Sequence, residues 1–156
     1  MFLDKFPGWD DKHFQHEGGE SWKHNQQRQK AILLYNQGTE LLQLSHALCD
    51  TLQPTEDIKD VEEFRHMIMQ NAMTLCPKIR GAEVTSLYTL KMENASVIRY
   101  NCRQLSDAVN AAILMGIADE NFKEAFDAEI NEFRLLFKDW VSGFTKDDYE
   151  DEWGLY

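Results

Sequence analysis

Apolar residues recur at alternating steps of three and four along four stretches of this chain. The first stretch reads Ala31, Leu34, Gly38, Leu41, Ser45, Leu48, Leu52 without a break. That spacing puts every position on one side of a helix. The second reads Val61, Phe64, Ile68, Asn71 or Ala72, Leu75, Ile79. The third reads Leu87, Leu90, Asn94, Ile98, Asn101, Leu105, Ala108, Ala112, and the fourth Phe122, Phe126, Glu129, Phe133, Phe137, Trp140, Phe144. No period-two run bounded by turn residues competes with these patterns. No repeat of solenoid length is present.

Breakers and caps divide the stretches. Ser21 can cap a first helix over 21–52, which stops before Pro54. Thr55, followed by Glu56 and Asp57, predicts a second start and a helix over 56–80, with a kink or early end at Pro77. A third helix over 85–115 stops at Gly116, and Asp119 caps a fourth over 119–144. Four helices with short links predict an all-α, up-down-up-down antiparallel four-helix bundle over 21–145. Residues 1–20, with Pro7, Gly8, Gly18 and Gly19, read as an irregular N-terminal arm, and 146–156 as an acidic, aromatic C-terminal tail.

The stretch "EEFRH" tests this arrangement. Glu63-x-x-His66 has the spacing that carboxylate-bridged di-metal bundles use, so it resembles a ferritin-like half-site. Taking Ile68 as the centre of the inner face, Glu63 falls about 140° away and His66 about 160° away. Both then point outward, with Phe64 turned in. Ligands of such a site must converge in the core, and on the other helices only Glu129 faces inward. Glu63, His66 and Glu129 are therefore weak metal candidates, and no metal or other cofactor is expected. His13, His16, Glu17, Glu20 and His24 have suggestive spacing, but Gly18 and Gly19 interrupt any helix through them.

More informative are the polar residues inside the predicted stripes, because a buried polar group must be hydrogen-bonded. Counting levels from each loop puts Asn71 with Asn94, Gly38 and Trp140, and Asn101 with Ser45 and Glu129. Asn71, Asn94, Asn101, Glu129 and Trp140 are thus candidate ligand-binding residues, or else a network that sets the helix register. No catalytic constellation emerges. Ser45 and His46 are neighbours on a helix and diverge by about 100°, and no Gly-rich phosphate loop exists. Leu33, Leu44, Met69, Met73 and Leu135 fall on outer faces and are candidates for a partner surface.

Composition narrows the function classes. Sixteen basic residues against 27 acidic ones give a formal net charge of −11, which leaves no basic footprint for nucleic acid and disfavours an anionic membrane surface. The longest apolar runs are too short to span a bilayer. The three cysteines, Cys49, Cys76 and Cys102, form no CxxC pair or disulfide framework, and the N-terminus has no signal-peptide pattern, so the expected setting is the cytoplasm. "MENASVIRYNCRQL" and "DEWGLY" resemble segments of small bacterial helical-bundle proteins, a likeness that implies the bundle and no particular activity. The reading is a non-enzymatic protein acting through protein–protein contacts, as a homodimer or with another protein. Its alternative is a small-ligand or metal-binding bundle around Glu129.

Overall fold

The computed structural model describes residues 21–156. The arm read over 1–20, with its histidines, lies outside the described residues. Four helices follow in order: α1 (Ser21–Asp50), α2 (Glu62–Glu83), α3 (Tyr88–Leu114) and α4 (Phe122–Ser142). They form an up-down-up-down antiparallel bundle, in which α1 packs on α2 and α4, and α3 packs on α2 and α4. The α2–α3 seam is the most extensive and the α3–α4 seam the sparsest.

The α1 stripe is buried as its spacing requires. Ala31, Leu34, Leu41, Ser45, Leu48 and Leu52 are buried, as is Gly38. Tyr35, Leu42 and Cys49 widen the stripe, because α1 serves two neighbours at once. Gly38 has a steric reason to be glycine: a Cβ there would lie 2.8 Å from Cys76 Sγ on α2 and 3.5 Å from Phe133 on α4. Three helices meet at that level.

The second stripe keeps its register, with Ala72 and not Asn71 in the place either could fill, while the third differs from the sequence reading by one residue at two places. On α2 the buried line is Ile68, Ala72, Leu75, Cys76, Ile79 and Ala82. On α3 it is Ala95, Ile98, Cys102, Leu105, Ala108, Val109 and Ala112, together with Thr89 at the first turn. Ala95 and Cys102 occupy the places predicted for Asn94 and Asn101, and Leu90 is exposed. One residue is 100° of rotation, so the asparagines move from core to boundary. The fourth stripe keeps its predicted register, with Phe126, Phe133 and Trp140 buried and Phe122, Glu129, Phe137 and Phe144 half-buried.

The helix ends show which local signals govern. Thr55 does accept the Ile58 N–H on its hydroxyl (3.0 Å), but its own N–H returns to the Ile58 carbonyl (2.8 Å). The chain thus closes a turn instead of starting a helix, and α2 begins only at Glu62, whose N–H reaches Asp60 Oδ1 at 2.9 Å. α2 also runs through Pro77 to Glu83. Asp119 does not cap α4: it accepts the Asn121 N–H at 2.9 Å within a turn, and the helix starts only at Phe122, with Asn121 at its N-cap and no side-chain cap bond. α3 ends where Gly116 adopts φ +76°, a left-handed conformation that favours glycine. The Ile117 N–H then bonds the Ala112 carbonyl (3.0 Å) and the Gly116 N–H the Ile113 carbonyl (3.0 Å), the double bond of a Schellman stop. Gln53 in the first loop donates its N–H to the Ile117 carbonyl at 2.9 Å, tying the two loops at this end together.

At the opposite end Trp140 is completely buried. Its indole N–H donates to Glu83 Oε1 at 2.8 Å, and its ring meets Phe144 edge-on at 4.8 Å. The Lys91 ammonium donates to the Ala82 carbonyl at 2.8 Å and lies 5.5 Å from the centre of the Phe144 ring. A cation there suits the negative C-terminal end of α2. Burial, partly offset by Glu83, lowers the Lys91 pKa. The tail leaves α4 here and returns along α3: Asp147 Oδ2 accepts the Tyr88 N–H at 3.0 Å, and the Tyr156 and Ser96 hydroxyls are 2.5 Å apart.

Candidate functional site

The structure disperses the polar residues that the sequence brought together. Asn71 donates to the Met67 carbonyl, Asn94 to the Leu90 carbonyl and Asn101 to the Val97 carbonyl, each at 2.8 Å and each four residues back on its own helix. A side chain that satisfies itself this way needs no partner across the bundle. The expected Asn71–Asn94–Trp140 layer is therefore absent among the described residues. Trp140 bonds Glu83 instead, and Asn94 lies against Gly81, where a Cβ would approach its Oδ1 to 3.1 Å. Glu129 is half-buried and accepts a hydrogen bond from Gln37 Nε2 across the α1–α4 seam. Ser45, expected to solvate it, donates to the Leu41 carbonyl at 2.7 Å. Glu63 and His66 are exposed, as the helical wheel requires. Among the described residues no group of three His, Cys, Asp or Glu could hold a metal ion. No helix among them is long and apolar enough to cross a membrane.

A different place has the form of a site. Between α3 and α4 the structure opens a groove of about 480 Å³. Arg99, Cys102, Arg103, Ser106 and Asp107 line it from α3, and Ile130, Phe133, Arg134, Phe137 and Lys138 from α4. The groove exists because of the residue types at this seam. Arg99 and Arg103 are four apart on α3, and Arg134 and Lys138 are four apart on α4. Each pair therefore stacks on one face of its helix. Long charged side chains send their heads to water and do not interdigitate, while Cys102 and Phe133 are buried below them.

The charge at the groove is unbalanced. Four cations line it against one carboxylate, on a protein whose overall charge is −11. Among the described residues Arg99, Arg103 and Lys138 make no ion pair, and Arg134 reaches only the Asn131 amide oxygen on its own helix. Like charges four apart on a helix cost about 0.2–0.5 kcal/mol per pair. Two such pairs face one opening, which is the opposite of an arrangement made for stability. The floor is apolar: Phe133 is buried and Ile130 and Phe137 are half-buried.

Cys102 is the one thiol that lines this opening. Burial pushes its thiol up to about 11, with Arg134 pulling the other way. It stays protonated at neutral pH and is a poor nucleophile. Cys49 and Cys76 are buried and raised to about 11 by the same cause. The groove thus offers cations around an apolar floor and no activated reactive group.

Sequence reasoning passed over this groove because it looked for polar residues within the apolar stripes. The signal was present elsewhere: two cation pairs at four-residue spacing, one on each of two adjacent helices, in a chain short of cations. Of the outer apolar candidates, Leu33 and Leu135 are exposed, while Leu44, Met69 and Met73 pack against the core and drop out as a partner surface. Comparison of the chain with protein-family models, curated proteins and solved structures finds no match.

Proposed function

We propose that this protein is a non-enzymatic binding protein of the cytoplasm that captures an acidic segment of a protein partner in the α3–α4 groove. The observation that carries the reading is a set of cations that make no ion pair among the described residues and stand above an apolar floor, Arg99, Arg103 and Lys138 over Phe133 and Phe137. An acidic segment with one aromatic or aliphatic anchor satisfies both features. The anchor fills the floor, and its flanking carboxylates meet guanidinium groups able to bind them two-pronged. The overall negative charge does not forbid this. At physiological salt the Debye length is about 8 Å, so a docked segment responds to the groove's own charges before distant acids. Three free, buried cysteines suit a reducing compartment.

The test is direct. A labelled peptide of Asp and Glu flanking Trp and Leu should bind the full chain, and more weakly as salt rises. Arg99→Glu with Arg103→Glu should weaken it at least tenfold, while the far-ultraviolet dichroism stays unchanged. Equal binding of a peptide with Lys in place of the acids would overturn the reading, as would indifference to the double reversal. A small anionic amphiphile is a second reading. The cavity volume favours it, since small-molecule sites run from about 300 to 1,000 Å³.

A further inference from the structure

We infer that the C-terminal segment 147–156 is an intramolecular competitor for the α3–α4 groove, so that a partner must displace it. The inference rests on the peptide-capturing reading of that groove and names what regulates it.

Three observations converge. The first is position. The tail leaves α4 just beyond Lys138, is pinned to the start of α3 through Asp147, and ends with Tyr156 at Ser96. Ser96, Arg99 and Arg103 are spaced three and four apart and share one face of α3. Tyr156 is therefore tied about 4.5 Å of helix rise short of Arg99. The second is charge. From 146 onward the tail carries five acids and one lysine, the inverse of the groove's four cations and one acid. The third is apolar surface. Trp153 and Leu155 are 82% and 62% exposed, although they sit in a segment already held against the bundle. The groove floor has the apolar surface they lack. The tail thus has the composition that the groove selects, acids around a Trp and a Leu.

Reach and concentration favour the same chain over a second copy. From Asp147 the remaining residues extend to roughly 30 Å, several helical turns. A short tether gives an effective concentration in the millimolar range. A tail whose intrinsic Kd for the groove is about 100 µM would then weaken any competitor about tenfold.

The experiment uses a fluorescein-labelled synthetic peptide of residues 147–156, its anisotropy followed on added protein. The proteins compared are the full chain and a chain ending at Tyr149, which keeps the Asp147 contact to α3. The truncated chain should bind the peptide about tenfold more tightly. Full-length Trp153→Ala with Leu155→Ala should fall between the two. Arg103→Glu in the truncated chain should abolish binding. Equal affinity of full and truncated chains, with Arg103→Glu still disruptive, would overturn the competition and leave the groove reading standing. No binding to a truncated chain that is folded by dichroism would remove both. Masking that fades on dilution together with a dimer seen by light scattering would assign the tail to a second copy, and would also overturn the inference.

Discussion

The two flanks of α3 are built from the same helix and do opposite things. Towards α2 its cation is Lys91, half-buried, with its ammonium on the Ala82 carbonyl. Towards α4 its cations are Arg99 and Arg103, exposed and without an ion pair among the described residues. On the first flank Gly81 lets Asn94 lie against α2, and the seam is the most extensive in the bundle. On the second, long side chains prop the seam open. The difference teaches that a cation contributes to the fold where a carbonyl or ring receives it. Where nothing receives it, its presence needs another account. Here the account we propose is an anionic partner.

Core truncation should separate the stripe from the groove wall most strongly. Leu105→Ala, at a fully buried position, is expected to cost about 2–5 kcal/mol. Ile130→Ala, on the half-buried wall, should cost about 1 kcal/mol. Urea unfolding midpoints compare them, and equal costs would mean that the groove closes in solution. Lys91→Ala should come next, at about 1–2 kcal/mol, since it strips a charged donor from the end of α2. The same measurement on Arg99→Ala gives the contrast, and a loss as large would show that Arg99 has a structural partner.

The thiols probe the same difference kinetically. Cys102 lines the groove while Cys76 sits between α1, α2 and α4, so Cys102 should react with a disulfide reagent roughly tenfold faster, a difference of about 1.4 kcal/mol in local opening. Through the closed state, labelling of Cys102 should keep rising with pH beyond 9.0 towards about 11, because the folded thiol is raised from the former to the latter. The linkage has a definite sign. A thiol whose folded pKa is raised stays protonated when the unfolded one ionises, so its stabilising contribution is complete below pH 9.0 and is lost as pH climbs to about 11. A denaturation midpoint flat across that window would contradict the burial of all three thiols. The smallest effect belongs to Arg103→Glu, which should move the unfolding free energy by no more than about 0.5 kcal/mol while removing peptide binding.

The sequence was most legible where large apolar residues left one solution. α1 and α4 show this: Leu34, Leu41 and Leu48, and Phe126, Phe133 and Trp140, lie on the predicted inner faces. It was ambiguous, at Ala72, or misled, at Ala95 and Cys102, where the true core residue is small. Ala72, Ala95 and Cys102 have weak apolar signals, and the asparagine preceding each fits the same three–four spacing. Those asparagines bond back to their own helices, so nothing forces them inside. The candidate site was less legible for a different reason. A helical wheel shows which way a side chain faces, but not whether two adjacent faces close on each other.

The bond from Gln53 to the Ile117 carbonyl has a consequence for the order of events at the ribosome. The first helical hairpin can form as soon as α2 has emerged, but its loop remains without this anchor until the end of α3 follows. The α1–α2 pair must then wait, with one flank of α2 still open, until α3 and the turn at Ile117 have been made. Cotranslational folding proceeds from the N-terminal side, and contacts of long sequence separation form late. Arrival of Ile117, more than completion of the first hairpin, therefore becomes the moment at which this end of the bundle locks.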